Sequence, residues 1–341
     1  MSADARRRVG LLCNPYAGCG RDRILGLTRQ AFDCLAPQAE IFVGPGDLGA
    51  NACSGAAVTV VGRDDTRTRS DTIATAQAFI ARGVELVVIV SGDGTYNDAL
   101  AGMKAADMTV PIFGIAAGRF NTLFPGRKHD PFVSLRGEFR PFRLTDLVID
   151  DVPGLLVHVN GAVAGYGVFW TVVSNLLAYS DAGGRSMTVD AARMLAGDVV
   201  PLSTAWPVAG DATRIVIHSR TLGEIELARG RDISMPVVAH IVPEIGQVLA
   251  GGFGTYAEFM GFHGVAYYFP NRDIPFLPTP EFFPVTTRAA GFFAGDEVRY
   301  TGLEDGAVLQ IDSTPICVLH RDDVLTVQVV HALGKKARLP A

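Results

Sequence analysis

Hydrophobic residues change their spacing along this chain, and the change divides it in two. Between residues 8 and 145, short β-rich runs alternate with segments of helical length. Val9 to Cys13 reads as a strand, followed by a turn-rich stretch and a helical segment around Arg23 to Leu35. Val58 to Val61 predicts a second strand. Ser70-Asp71 marks a helix start, after which Ile73, Ala76, Phe79 and Ile80 recur at helical spacing until Gly83 ends the run. Val84 to Val90 is nearly continuous branched aliphatic, the composition of a strand buried on both faces. A helix over Asn97 to Ala105 and a strand over Pro111 to Ile115 complete a βαβα alternation, which predicts a parallel sheet covered by helices.

From about residue 146 that rhythm is lost. Val148 to Ile149, Leu155 to Val159, Arg214 to His218, Pro236 to Ile241, Val308 to Ile311 and Val324 to Val330 read as strands. Helices are expected only over Met187 to Leu195 and Val168 to Leu177. The expected fold class is α/β + β. An N-terminal parallel-sheet α/β domain takes residues 1–145, a β-rich, sandwich-like domain 146–330, and a C-terminal tail 331–341.

Composition narrows the function classes. A chain of 341 residues exceeds one hydrophobic core, and its 48% apolar and 19% charged content is that of a globular protein. A mean hydropathy of +0.26 raises the question of a membrane span. The longest apolar runs, Val84 to Val90 and Ile112 to Ala117, are of strand length, whereas a span needs about 20 residues. No signal-peptide core precedes Asn14-Pro15, so a cytoplasmic location is expected. A net charge of −5 argues against nucleic acid as a partner, which needs a concentrated basic surface. The five cysteines are odd in number and scattered; Cys13 and Cys19 lack a second pair for a zinc site, so reduced thiols are expected.

Three loops carry candidate chemistry. The first, Asn14-Pro15-Tyr16-Ala17-Gly18-Cys19-Gly20, follows the first strand, and loops at the carboxyl ends of parallel strands are where open α/β sheets bind ligands. Gly18 and Gly20 let backbone amides approach a phosphate. No third glycine completes a dinucleotide fingerprint and no Gly-Lys-Ser/Thr completes a P-loop. The second, Ser91-Gly92-Asp93-Gly94-Thr95, ends the most buried strand, and Tyr96-Asn97-Asp98 opens a helix. Two glycines around one aspartate present a carboxylate beside a helix N-terminus that attracts anions, with Thr95 as the expected cap. That suits a phosphoryl donor with Mg²⁺. The third, Gly114 to Phe124, offers Gly118 for backbone access, Arg119 for charge and Asn121 as donor and acceptor.

In this order, Asn-Pro-x-x-Gly, then Gly-Asp-Gly-Thr, then a glycine loop ending in Asn, the motifs resemble the superfamily of NAD kinases and diacylglycerol or sphingosine kinases. Gly92 and Gly118 lie 26 positions apart, as in that superfamily. The stretch from Asp65-Thr66 to Phe124-Pro125 looks closest to the ATP-NAD-kinase-like branch that includes the acetoin-catabolism protein X group. Tyr96-Asn97-Asp98 is similar to the Asn-Glu of lipid kinases, which places Asn97 and Asp98 toward the acceptor. Leu155 to Val159 with Asn160-Gly161 resembles the strand with which NAD kinases hold adenosine. Ile311-Asp312-Ser313-Thr314-Pro315 resembles their Asp-Gly-Glu-Pro turn, whose aspartate is implied as base toward the acceptor hydroxyl.

The resemblance implies ATP and Mg²⁺ as cofactors. Asn14, Gly18, Gly92, Gly94, Thr95, Gly118 and Asn121 would hold nucleotide, Asp93 the metal and phosphate, Asp312 the acceptor proton, and Asn97, Asp98 and Asn160 the acceptor. A dinucleotide or nucleotide-like acceptor is the first expectation and a lipid the second. Departures from the pattern at Ser91, Gly161 and Thr314 leave a third, a non-catalytic nucleotide sensor. The aromatic stretch from Phe253 to Phe293 reads as core or as the interface of a homo-oligomer, with a lipid slot as the alternative. The histidines show no metal-ligand spacing and read as structural. Lys335-Lys336-Ala337-Arg338 reads as a solvated terminus, with peripheral contact to anionic lipid as the alternative.

Overall fold

A computed structural model describes residues 6–16, 18–63, 66, 68–118, 139–180, 186–202, 207–240, 260–270 and 288–340. The chain divides into two compact units, one of Met1–Val152 with Gly334–Ala341, the other of Pro153–Asp181 with Arg185–Leu333.

The first unit alternates β1 (Arg7–Cys13), α1 (Arg21–Leu35), β2 (Ala39–Val43), β3 (Thr59–Val60), α2 (Arg69–Ala81), β4 (Leu86–Ser91), α3 (Asp93–Ala105) and β5 (Ile112–Ala116). Every strand pairs in parallel, in the order β3-β2-β1-β4-β5. All six residues of β4 are buried, as a central strand covered on both faces requires. Two glycines set how closely helices approach. Gly10 of β1 lies under the Phe79 ring, where an added Cβ would come within 2.7 Å of the ring. Gly102 of α3 meets α2 so closely that a Cβ would sit 2.3 Å from the Ile73 carbonyl oxygen. Helix α2 is capped by Thr68, whose side chain accepts from the Ser70 amide.

The second unit is built of antiparallel strands and one short helix, α4 (Ala191–Leu195); the strands are β6 (Val148–Val159), β7 (Ala162–Gly167), β8 (Trp170–Val173), β9 (Leu176–Ser180), β10 (Ser186–Asp190), β11 (Ala209–Ser219), β12 (Gly223–Arg229), β13 (Ile233–His240), β14 (Gly264–Pro270), β15 (Arg288–Phe292), β16 (Glu297–Leu303), β17 (Val308–Ile311), β18 (Thr314–Val318) and β19 (Leu325–Arg338). One layer follows β12-β11-β16-β19 with β6 and β7; the other follows β15-β14-β13-β8-β17-β18. Leu155, Ile215, Ile217 and Val327 of the first layer share one buried cluster with Val173, Val238 and Leu309 of the second, so the two inner faces make the core of a sandwich.

Three expectations are corrected here. Neither Val168 to Leu177 nor the first part of Met187 to Leu195 is helical: β8, β9 and β10 occupy them. Val189 packs inward with Leu177 at strand alternation, and the helix waits for Asp190, whose carboxylate accepts from the amides of Ala192 and Arg193. The C-terminal residues do not form a solvated tail. Strand β19 runs on to Arg338 and joins the first unit as a sixth parallel strand, pairing Lys336 with Ile112 and Ala337 with Phe113 of β5. Ala337 is fully buried there, Lys335 is exposed, and Lys336 and Arg338 are half-buried. Among the described residues, no helix is long and apolar enough to cross a membrane.

Candidate functional site

Strand β4 lies between β1 and β5, so the three loops leaving their carboxyl ends are neighbours by topology. Backbone bonds tie them. The Cys19 amide donates to the Ala117 carbonyl at 3.0 Å, Ala117 N–H to the Ser91 carbonyl at 2.7 Å, and Asn14 N–H to Val90 O at 3.4 Å. Side chains reinforce the link. Asn14 Nδ2 donates to Thr95 Oγ1 at 3.2 Å, while Asn14 Oδ1 accepts from the Tyr16 amide at 3.0 Å. The Ser91 and Thr95 hydroxyls lie 2.7 Å apart in a buried bond. Ser91, in sequence no more than a replaced glycine, thus fixes the threonine of the turn through its hydroxyl.

Helix α3 starts earlier than expected, at Asp93, with Gly92 at the N-cap. Thr95 is therefore inside the first turn and bonds sideways to Asn14 and Ser91 instead of capping. A glycine at the cap has no oxygen with which to satisfy the turn, so an anion can take that place. Asp93 is buried in this first turn, only 4% exposed. Gly94 follows it, Gly18 is half-exposed in the first loop, and Gly118 is buried beyond β5. Asn121 and Arg119 lie outside the described residues.

Asn97 and Asp98 are both buried on α3. Asp98 Oδ1 accepts from Arg69 Nε of α2 at 2.9 Å. Burial pushes the Asp98 carboxyl up to about 6, against the opposing pull of Arg69. Asp98 is thereby engaged in an internal ion pair between two helices, a pairing for which Arg69 gave no sequence signal.

In the second unit the two proposed residues occupy hairpin turns. Val159 pairs with Ala162, leaving Asn160-Gly161 as a two-residue loop with φ of 53° and 78°. Positive φ at both positions is the type I′ geometry for which Asn-Gly is the strongest short signal. The Asn160 side chain is turned to its own unit: Nδ2 donates to Asp323 Oδ1 at 2.7 Å and Oδ1 accepts from Val324 N–H at 2.9 Å. Asn160 therefore tethers this hairpin, where the resemblance implied acceptor recognition.

Ile311 pairs with Thr314 across a second such loop, Asp312-Ser313, with φ of 45° and 64°. The Asp312 carboxylate accepts from the amides of Val168 at 2.7 Å, Phe169 at 3.1 Å and Trp170 at 2.8 Å. Three backbone amides thus fix the orientation of the carboxylate. Beside this bend, His240 N–H donates to the Phe169 carbonyl at 2.8 Å. Burial, reinforced by His263 and His331, lowers the His240 imidazole to about 4, so it is neutral.

The described part of the aromatic stretch is largely core, with Phe293 at the surface. Tyr267, Tyr268 and Phe292 are buried, and Phe262 stacks on Phe293 at 5.0 Å between ring centroids. Phe253, Tyr256, Phe259, Phe276, Phe282 and Phe283 lie outside the described residues, as do His129 and Gly254 to Ala257.

Among the described residues no group of three His, Cys, Asp or Glu side chains could hold a metal ion. A single buried carboxylate beside a phosphate-accepting turn still suits magnesium, which keeps several waters and binds through one or two carboxylates plus substrate phosphates.

Residues 54–125, which include the second and third loops, match the family model of the diacylglycerol kinase catalytic domain. A search of curated proteins by sequence gives no match. Two solved structures, both of a proposed diacylglycerol kinase from Bacillus anthracis strain Sterne, share the fold. They are 12% identical at TM-score 0.50, covering 99% of this chain and 99% and 100% of theirs. Yeast NADH kinase complexed with NADH is similar at TM-score 0.49 and 10% identity, over 99% of this chain and 84% of the other.

Proposed function

We propose that this chain, a member of the superfamily of NAD kinases and diacylglycerol kinases, is a cytoplasmic ATP-dependent phosphotransferase acting on an alcohol. The observation that carries the reading is the bonded set Asn14–Thr95–Ser91, which with the backbone bonds of Ala117 to Cys19 and Ser91 ties three strand-end loops together at the Asp93 turn. Asn14 and Ser91 fix the turn; Gly18, Gly92, Gly94, Thr95 and Gly118 offer backbone to the phosphates; Asn121 is assigned to nucleotide from the motif alone. Asp93 would hold Mg²⁺, which when bound supplies positive charge to the phosphate oxygens. Asp312, oriented by three amides, is the proposed base. The acceptor oxygen forms a bond to the γ-phosphorus, the bond from that phosphorus to the bridging oxygen of ADP breaks, and the hydroxyl proton passes to Asp312.

For the acceptor we place a lipid alcohol ahead of the dinucleotide. Asn160, the residue expected to read a dinucleotide, is engaged by Asp323 and Val324, and the matching family model is that of the diacylglycerol kinase. A lipid acceptor would bring peripheral contact with a membrane. The first test is binding. Ligand at about 100 times its dissociation constant stabilises a fold by roughly 2.7 kcal/mol, so MgATP should raise the melting temperature by several degrees. A melting temperature unmoved by millimolar MgATP and MgADP would remove the nucleotide site.

A further inference from the structure

The last strand brings a lysine to the donor site. Gly334 of β19 faces α3, since a Cβ added to it would lie 3.1 Å from Leu100 Cδ1 and 3.4 Å from Tyr96 Oη. Side chains two apart on a strand share a face, so Lys336 emerges on the α3 side, while Ala337 is buried with the α1-side core. β19 runs parallel to β5, toward the carboxyl ends of the sheet, and α3 runs back from them. Moving from Gly334 to Lys336 advances about 6.6 Å in that direction. Moving from Leu100 to Tyr96 advances about 6 Å the same way, and Asp93 lies one turn beyond Tyr96. The strand is anchored at this level by the Tyr96 hydroxyl, which donates to the Lys335 carbonyl at 3.2 Å.

Three charged groups act on the lysine, Asp93, Asp150 and Arg338. Asp93 is the stronger carboxylate attraction on Lys336 and Asp150 the next; both oppose the lowering of its pKa by burial, the largest influence. Asp150 is already paired with Arg338 on the same face of the strand. The ammonium lies in the field of Asp93, and a Mg²⁺-bound nucleotide would bring phosphate oxygens into that field.

We propose that Lys336 is a phosphate-binding cation of the donor site, supplied by the C-terminal strand and directed at the phosphate chain of the nucleotide beside Asp93. This rests on the donor-site reading given above. A flexible ammonium on a half-buried stem suits such a point contact with phosphate.

Lysine acylation of the wild-type protein, read by mass spectrometry, tests this without any substitution. MgATP should protect Lys336 several-fold and leave exposed Lys335 unchanged, while adenosine and inorganic phosphate should protect neither. In direct titrations, Lys336→Met should weaken MgATP binding about ten- to a hundredfold. Lys336→Arg should recover much of that loss and Lys335→Met should match wild type. If Lys336→Met does not fold, the acylation pattern alone decides. Wild type that binds MgATP while Lys336 is modified at the same rate with and without it would overturn the proposal and leave the donor site standing. Wild type that binds no MgATP would overturn the donor site as well.

Discussion

The two units place their candidate residues on turns of opposite kinds. In the first, Asn14, Ser91, Asp93 and Thr95 lie where parallel strands give way to helices, and Thr95 is bonded to both Asn14 and Ser91 across strand-end loops. In the second, Asn160 and Asp312 sit in two-residue hairpins with positive φ, bonded to backbone of distant strands. The first arrangement leaves a glycine, with no side-chain oxygen, at the N-cap of α3. The second uses polar side chains to knit a sandwich, so an aspartate or asparagine in it serves the fold first. A motif match has different weight in the two settings.

Asp93→Asn gives the largest expected effect. It removes one charge at constant size and should cut turnover by at least about a hundredfold, with the melting temperature nearly kept. Turnover at the wild-type rate in a steady-state assay would take Asp93 out of the chemistry.

Gly102→Val tests the packing that positions α3. A side chain there must push into the Ile73 carbonyl and Ala76, and overpacking of this kind typically costs about 1–3 kcal/mol or more. Urea denaturation should show the loss. An unchanged midpoint would mean that α2 and α3 separate freely.

The units also differ in the sign of their pH dependence. Asp98 has its pKa raised to about 6 in the fold, so the folded state holds the extra proton; its burial penalty is relieved as pH falls through 6 toward 4. His240 has its pKa lowered to about 4, so the unfolded state binds more protons between 6.5 and 4; its contribution is present above pH 6.5 and lost as pH falls. Denaturation of Asp98→Asn and His240→Gln from pH 7 to 4 should therefore show the difference from wild type drifting in opposite directions. Parallel drifts would contradict the assigned environments.

Most of the first unit was legible because its signals are local. Strand β4 needs an unbroken aliphatic run, and Gly-Asp-Gly-Thr follows it directly. The role of Ser91 was not legible, since it depends on a hydroxyl one helical turn away, and neither was Arg69, which meets Asp98 from another helix. In the second unit, Asn160-Gly161 carried its own signal as a type I′ turn, yet its resemblance to a binding motif pointed elsewhere. Lys336 was hidden for a different reason: a short basic run after a strand looks solvated until the strand is seen to re-enter the first sheet.

Smaller effects sharpen the contrast. Asn160→Ala should cost about 1–2 kcal/mol of stability through the lost bonds to Asp323 and Val324, and leave MgATP affinity unchanged in calorimetric titration. Ser313→Gly should stabilise the protein by up to about 1 kcal/mol in the same denaturation assay, because Ser313 carries a φ of 64° that glycine adopts without a Cβ clash.

Transfer of the labelled γ-phosphate of ATP, with Mg²⁺, to a panel of diacylglycerol, sphingosine, NAD and small polyols tests the phosphotransferase reading most directly. Wild type should give a labelled lipid product, Asp93→Asn none and Asp312→Asn much less. Label appearing only in NAD would reverse the choice of acceptor, and no acceptor-dependent label from a protein that binds MgATP would contradict the phosphotransferase itself.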